Sequence, residues 1–118
     1  QKSVVKTKQI ISYITDHYSE PLSTEQMAKV CEFSESHFIK FFKSTIGITF
    51  TECLNSYRLS QASRLLLADT DEPIMDIARR CGFNSIPFNR VFKKKYGITP
   101  SALRGTKSSP ETADPSLS

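Results

Sequence analysis

The sequence predicts an all-α fold of about seven helices, and three observations lead to that prediction. Apolar side chains recur at three- and four-residue steps along most of the chain, as they do in amphipathic helices. No segment combines period-two alternation with turn residues, so no strand is expected. Residues 27–50 and 77–100 match without a gap, with nine identities in twenty-four positions. A repeat at a fixed offset indicates one supersecondary unit used twice.

The first two predicted helices follow from their periodicity and their boundaries. Apolar residues predict a helix from about Val4 to His17, which Pro21 ends. Ser23 is a typical N-terminal cap, and Gln26 stands three residues on, where a capping box has its reciprocal partner. A second helix is therefore expected from Ser23 to about Cys31.

Two further helices complete the first half of the chain. Ser34 is the next predicted cap, and Gly47 is the type of residue at which helices end. Thr49 and Glu52 form a second capping-box pattern, which opens a long helix over residues 49–68. At about 1.5 Å per residue, this helix would span roughly 28 Å.

The second copy of the repeat predicts the helices that follow. A short helix is expected from Ile74 to Arg80, and a turn at residues 81–83 comes next. Asn84 is then expected to cap a helix that runs to Tyr96. The second copy therefore has the same helix, turn and helix order as the first.

The helices define a domain organisation in four parts. A last short turn is expected from Thr99-Pro100 to Arg104, and the Ser-, Thr- and Pro-rich sequence from Gly105 onward predicts a disordered tail. The predicted parts are a first helix-turn-helix subdomain over residues 1–48, a linker helix over 49–68, a second helix-turn-helix subdomain over 69–104 and the tail over 105–118. Because the chain starts at Gln1 rather than at methionine, we expect a fragment of a longer protein, with any sensing or dimerisation domain outside it.

Charge is distributed unevenly along this chain, whose formal net charge is +4. Six basic residues and no acidic residue lie between Arg79 and Lys95, whereas residues 69–76 hold four acids and no base. Basic clustering of this kind suits a polyanion such as nucleic acid. The alternative is a solvated helix face, which charge alone does not exclude.

Composition also argues against other kinds of protein. The longest apolar runs are too short to cross a bilayer, so no membrane association is predicted. Three cysteines with no CxxC pair argue against a secreted disulfide framework and favour a cytoplasmic protein. Cys31 and Cys81 are expected to be small buried side chains, and His17 and His37 are isolated in the sequence. We therefore predict no catalytic residue, no metal site and no cofactor.

Each copy of the repeat has the organisation of a helix-turn-helix, in which the second helix enters the DNA major groove. Ala28 and Ala78 would let the two helices of each unit approach closely, and Phe33 and Phe83 would fill the turns. Pairs of phenylalanines four residues apart would anchor the second helix. The alternative is a helical bundle in which the repeat reflects duplication alone.

The second helix of each unit presents outward side chains that suit DNA. Arg90 can pair with guanine and Asn89 with adenine, while an isoleucine such as Ile39 can touch a thymine methyl group. The residues predicted to contact bases are Ser36, Ile39, Lys40, Ser85, Ile86, Asn89 and Arg90. The residues predicted to contact phosphates are Ser34, Lys43, Asn84, Lys93 and Lys94.

Two stretches of the second copy resemble a known family. Residues 77–83 read IARRCGF and residues 88–100 read FNRVFKKKYGITP, which closely resembles the signature of AraC/XylS-family bacterial transcription regulators. The resemblance implies two helix-turn-helix subdomains joined by a long central helix, bound to successive major-groove segments on one face of double-stranded DNA. It implies base contacts from Ser36, Ile39 and Lys40 in the first reader helix and from Ile86, Asn89 and Arg90 in the second.

The second turn differs from the pattern usual in that family. The family usually has one more residue there, yet residues 83–88 match the length of residues 33–38. Pro87 also stands where the first copy has His37, and proline is tolerated only in the first turn of a helix. We therefore expect the second reader helix either to start late or to be rotated.

The alternative function is a helical protein-interaction module that binds RNA polymerase or another regulator. A thiol-transfer enzyme is the enzymatic alternative. It is not supported, because no histidine or carboxylate pattern recurs beside Cys31 and Cys81.

Overall fold

The fold is all-helical, as the sequence predicts. The structure, a computed structural model, describes residues 2–68, 71–83 and 87–113. Seven helices and no strand occur in these ranges. The helices are α1 (Lys2–His17), α2 (Thr24–Cys31), α3 (Glu35–Ile46), α4 (Phe50–Leu67), α5 (Ile74–Arg80), α6 (Phe88–Tyr96) and α7 (Pro100–Ala113).

The chain divides into two compact units, and the division falls inside α4, between Arg58 and Leu59. The first unit contains α1, α2, α3 and the first part of α4. Its core consists of Ile10, Ile14, Met27, Ala28, Cys31, Phe38, Phe42, Phe50 and Leu54. These side chains come from all four helices, so the first helix-turn-helix packs on α1 and on the start of α4.

Side-chain caps fix where the helices of the first unit begin. The Ser23 hydroxyl accepts a hydrogen bond from the Gln26 backbone N–H at 3.1 Å, and the Ser34 hydroxyl accepts one from the His37 N–H at 3.1 Å. Both predicted caps are confirmed. The Gln26 side chain, however, donates to the hydroxyl of Tyr13 on α1 at 3.2 Å instead of returning to Ser23. That bond connects α2 with α1.

The predicted capping box at the start of α4 is formed in full. The Thr49 N–H donates to Glu52 Oε1 at 3.0 Å, and the Glu52 N–H donates to Thr49 Oγ1 at 3.2 Å. The hydrogen bond from the Thr49 backbone lowers the pKa of the Glu52 carboxyl, because it stabilises the charged form. The box therefore fixes the first turn of the helix that both units share.

Arg58 is a buried arginine in the middle of α4, with only 5% of its surface exposed. Its Nε donates to the carbonyl oxygen of Tyr18 at 2.7 Å, and one terminal nitrogen donates to the carbonyl oxygen of Glu20 at 2.8 Å. The other terminal nitrogen donates to Asn55 at 3.3 Å. The guanidinium thus holds the loop between α1 and α2 against α4.

The second unit contains the rest of α4 together with α5, α6 and α7. Its buried apolar side chains include Leu59, Ala62, Leu66, Ile77, Ala78, Cys81, Phe83, Phe88 and Phe92. Arg104 on α7 donates to the carbonyl oxygen of Glu72 at 2.7 Å, which ties α7 to the segment before α5.

Helix α7 is longer than the sequence predicts. Thr99 caps it by accepting a hydrogen bond from the Ala102 N–H at 3.1 Å, as expected. The helix does not end at Arg104 but continues to Ala113, into the segment for which the sequence predicts disorder. The disordered tail itself stays a prediction. Gly105 costs a helix only about 1 kcal/mol relative to alanine, which is not enough to end it. Residues 114–118 lie outside the described residues.

Candidate nucleic-acid interface

The two turns of the repeat have the same backbone geometry where both are described. The Phe33 N–H donates to the carbonyl oxygen of Ala28 at 2.9 Å, and the Phe83 N–H donates to that of Ala78 at 2.9 Å. Both turns contain a residue at positive φ, Glu32 at 61° and Gly82 at 99°. The two copies of the repeat, offset by fifty residues, therefore share one backbone geometry as far as Phe83.

In each unit, the second helix is anchored by buried aromatic side chains. Phe38 and Phe42 on α3 are at most 1% exposed, and Phe88 and Phe92 on α6 are at most 3% exposed. The rings of each pair lie 5.9 Å and 5.5 Å apart, respectively. Because phenylalanine fixes the inner face in both helices, the opposite face is directed to solvent.

The predicted contact residues of α3 lie on that solvent face. Ser36, Ile39, Lys40 and Lys43 are all exposed, and Ser34 caps the helix. Ile39 is 46% exposed, so its apolar side chain lies on the solvent side of α3. The structure thus brings together on one helix every residue that the sequence predicts for the first reader.

The second reader, α6, is shorter than α3 and begins later. It starts at Phe88, with Pro87 at the N-cap and no side-chain capping hydrogen bond. The predicted cap at Asn84 lies outside the described residues. Of the two outcomes expected for this helix, the late start is the one observed.

Only some of the residues predicted to contact DNA in the second reader lie within the described residues. Asn89, Arg90, Lys93 and Lys94 are exposed on α6. The predicted contacts at Asn84, Ser85 and Ile86 lie outside the described residues.

The basic cluster of the second unit consists of two different sets. Arg79 pairs with Asp76 one turn earlier on α5, and Arg80 makes two hydrogen bonds with the carboxylate of Glu72, at 2.9 and 2.7 Å. In contrast, the described residues offer no ion-pair partner to Arg90, Lys93 or Lys94. The unneutralised positive charge is therefore concentrated on α6.

Cys31 and Cys81 are buried, as the sequence predicts, whereas Cys53 is half-buried. Burial raises the pKa of the Cys31 and Cys53 thiols, which keeps them protonated and weakly nucleophilic. Across the described ranges, no group of three or more histidine, cysteine or acidic residues is arranged to hold a metal ion. The helices in the same ranges include none with the length and apolarity to cross a membrane.

Sequence reasoning did not assign a role to His37, which lies at the start of α3. Its ring stacks on Phe33 with centroids 4.1 Å apart and meets Phe41 edge-on at 6.4 Å. The side chain is exposed. The signal that could have found it is its position beside Ser36 in a helix capped by Ser34.

Two helix-turn-helix units with exposed reader helices in an all-helical chain define the class of protein: a helix-turn-helix domain. A family profile described as a helix-turn-helix domain matches residues 27–106. An uncharacterised HTH-type transcriptional regulator of Staphylococcus aureus is 39% identical over 103 residues, which are 86% of this chain and 14% of that protein. The chain thus spans about a seventh of that relative's length.

Solved structures share the fold over nearly all of the chain. An AraC-type transcriptional regulator from Chromobacterium violaceum is 29% identical with a TM-score of 0.81, covering 92% of this chain and 96% of that one. The DNA-binding domain of the transcriptional factor AdpA, solved with a target DNA, is 26% identical with a TM-score of 0.80, covering 91% and 96%. This chain belongs to the AraC-type helix-turn-helix family, which confirms the resemblance found in its sequence.

Proposed function

We propose that this chain is the sequence-specific, double-stranded-DNA-binding domain of a bacterial transcription regulator. One observation carries the proposal: both copies of the repeat present exposed polar and basic side chains on a helix whose opposite face is fixed by buried phenylalanines. The likeness to the AdpA domain, which was solved with its target DNA, supports it. Each reader helix would lie in one of two successive segments of the major groove.

The proposed base contacts follow from side-chain chemistry. Arg90 would pair with the two acceptors of guanine, and Asn89 with adenine. On α3, Ser36 and Lys40 would donate to base edges, and Ile39 would pack on a thymine methyl group. The predicted contacts of Ser85 and Ile86 complete the second set.

The proposed phosphate contacts set the register of the domain on DNA without reading bases. Lys43 and Lys93 occupy equivalent positions near the ends of α3 and α6, and Lys94 is unique to the second copy. Ser34 would contribute its hydroxyl and the start of α3, with Asn84 as the predicted counterpart. Since α6 carries the larger unpaired charge, it would contribute more to the salt-dependent part of the affinity.

Salt dependence tests the electrostatic basis of the proposal. Each phosphate neutralised on duplex DNA adds about 0.9 to the slope of log affinity against log salt concentration. The measurement is fluorescence anisotropy with a duplex selected from a random pool, titrated at several salt concentrations. An affinity that did not change with salt concentration would refute the electrostatic basis of the proposal.

Two matched substitutions separate reading from anchoring. Arg90→Ala should cost about 1–3 kcal/mol on the selected duplex and relax the preference at one base pair. Lys94→Ala should weaken binding to all duplexes alike and reduce the salt slope by about one. An Arg90→Ala variant that lost equal affinity for every duplex would show that Arg90 does not read bases.

The alternative of a protein-interaction module for RNA polymerase or another regulator predicts binding that tolerates salt and leaves no footprint on a duplex. We propose a binding domain rather than an enzyme, working without cofactor or metal in the cytoplasm, where bacterial DNA lies. A duplex footprint covering two segments of the major groove distinguishes the two functions.

A further inference from the structure

His37 is an exposed side chain at the start of the first reader helix. Packing fixes the position of its ring, but among the described residues its ring nitrogens make no hydrogen bond. The Ser34 cap holds its backbone N–H at 3.1 Å. The flat stack on Phe33 and the edge contact with Phe41 hold the ring. Within the described ranges, no protein group is hydrogen-bonded to either ring nitrogen. The ring nitrogens can thus donate a hydrogen bond to an acceptor outside the protein.

The other histidine of this chain shows the contrast. His17 lies at the end of α1, and its Nδ1 is 2.8 Å from a carboxylate oxygen of Glu20. Its ring therefore already has an acidic partner within the protein. His37 has the same chemistry, is exposed where His17 is half-buried, has no such partner within the described residues, and lies on the helix proposed to enter DNA.

The side of α3 on which His37 lies indicates which part of DNA it would meet. It shares a side with Phe33 and Phe41, one turn before and after it, whereas Ser36, Lys40 and Lys43 share the neighbouring side. The major groove is about 12 Å wide, and a helix with its side chains is about 10–12 Å across. The flank of an inserted helix therefore contacts the groove wall, which is the phosphate backbone.

We propose that the imidazole of His37 binds a phosphate oxygen of double-stranded DNA beside the first reader helix, and that protonation of the ring strengthens this contact. The proposal rests on the proposed DNA-binding function. Imidazole is the side chain whose charge changes between pH 5 and 8, and a polyanion favours the charged form. DNA binding by this domain would then tighten as pH falls through that range.

The charges around His37 are of both signs. From the turn, Glu32 adjoins Phe33, and from α3 itself come Glu35 and Lys40. Glu35 accepts a hydrogen bond from the Thr24 hydroxyl of α2 at 2.7 Å. From α1, Lys6 lies over the Phe33 ring, 5.4 Å from its centroid, and donates to the Cys31 carbonyl at 2.6 Å. These two acids and two bases balance, so the added negative charge near the ring would come from the DNA phosphate.

The test compares pH profiles of binding for His37→Gln, His37→Phe and the matched control His17→Gln. Anisotropy with the selected duplex is measured from pH 8.0 to 5.5 at one salt concentration, with thermal melts at both limits to show that each variant is folded. The thiols of Cys31 and of the half-buried Cys53 remain protonated over this range, because desolvation raises their pKa.

Wild type and His17→Gln should bind about two- to five-fold more tightly at pH 5.5 than at pH 8.0, the range typical of one exposed ion pair. His37→Gln should lose this gain while remaining close to wild type at pH 8.0. At pH 5.5, its salt slope should be smaller than that of wild type by about 0.9. His37→Phe keeps the aromatic stack and should also lose the gain.

Three results would overturn the proposal, each in a different way. Full pH dependence in His37→Gln would remove the role of His37 while leaving DNA binding intact. A changed base preference in duplexes selected by His37→Phe would assign the ring to a base rather than to a phosphate. Wild-type protein that bound no duplex at any pH would instead refute the proposed function itself.

Discussion

Replacing Arg58 with alanine removes a buried guanidinium that makes the longest-range side-chain connection described in the first unit. The side chain is 5% exposed, so solvent screens its hydrogen bonds little. Two of them, at 2.7 and 2.8 Å, go to the carbonyl oxygens of Tyr18 and Glu20, some forty residues earlier in the chain. Both carbonyls belong to residues beyond the end of α1.

The expected loss can be worked from those two bonds. A hydrogen bond to a charged group contributes about 1.5–3 kcal/mol, and the lower figure applies here because the loop can regain water when the arginine is removed. Arg58→Ala should therefore lower the free energy of unfolding by about 3 kcal/mol. For a unit of this size, 1 kcal/mol corresponds to about 4–8 °C, so the melting temperature should fall by about 12 °C or more.

The assay is thermal and urea denaturation followed by circular dichroism, with Arg64→Ala as the matched control. Arg64 is an exposed arginine on the same helix, and among the described residues it donates to the Gln61 side chain alone, at 2.6 Å. Its removal should cost no more than about 0.5 kcal/mol. Arg58→Lys keeps the charge but not the planar fork and should fall between the two. Equal stability of Arg58→Ala and Arg64→Ala would refute the reasoning.

Three further substitutions test the caps, turns and packing by the same denaturation assay. The pKa of Glu52 is lowered in the folded state, so its stabilising effect is present above its ordinary value of 4.5 and is lost as pH falls through the folded value. Glu52→Ala should therefore be less stable than wild type at pH 7, and the difference should shrink as pH falls below 4.5; a difference that did not change with pH would contradict this. Glu32→Gly should gain about 1 kcal/mol, because glycine adopts its φ of 61° without strain, and unchanged or lower stability would contradict this. Ala78→Leu should lose about 1–3 kcal/mol through overpacking, whereas Leu at exposed Ala102 should have little effect.

The features that the sequence predicts well are those that neighbouring residues determine. The caps at Ser23 and Ser34 and the box of Thr49 with Glu52 each need only residues within one turn. The aromatic anchors follow from spacing of four in both copies. Local rules therefore predict the helices of the first unit and the exposed face of α3.

The features that the sequence does not predict depend on residues distant in the chain or on competing local preferences. Asn84 is as good a cap as Ser34 in isolation, so the capping rule alone misses the start of α6 after Pro87, which the position of that proline does indicate. From the sequence alone, Arg58 is indistinguishable from an exposed helix residue, because its hydrogen-bond acceptors lie in a loop distant from it in the chain. The pairing of Arg79 with Asp76 is a local feature, and its three-residue spacing could have indicated it.

The position of Arg58 in the chain also determines when the first unit can complete its fold during protein synthesis. Domains fold from the N-terminus as the ribosome releases the chain, at about 5–20 residues per second. The first unit ends at Arg58, so the guanidinium that fastens the loop between α1 and α2 belongs to the last residue of that unit to be synthesised. The nascent chain must therefore wait for the middle of α4, and by then it is already making the helix on which the second unit will be built.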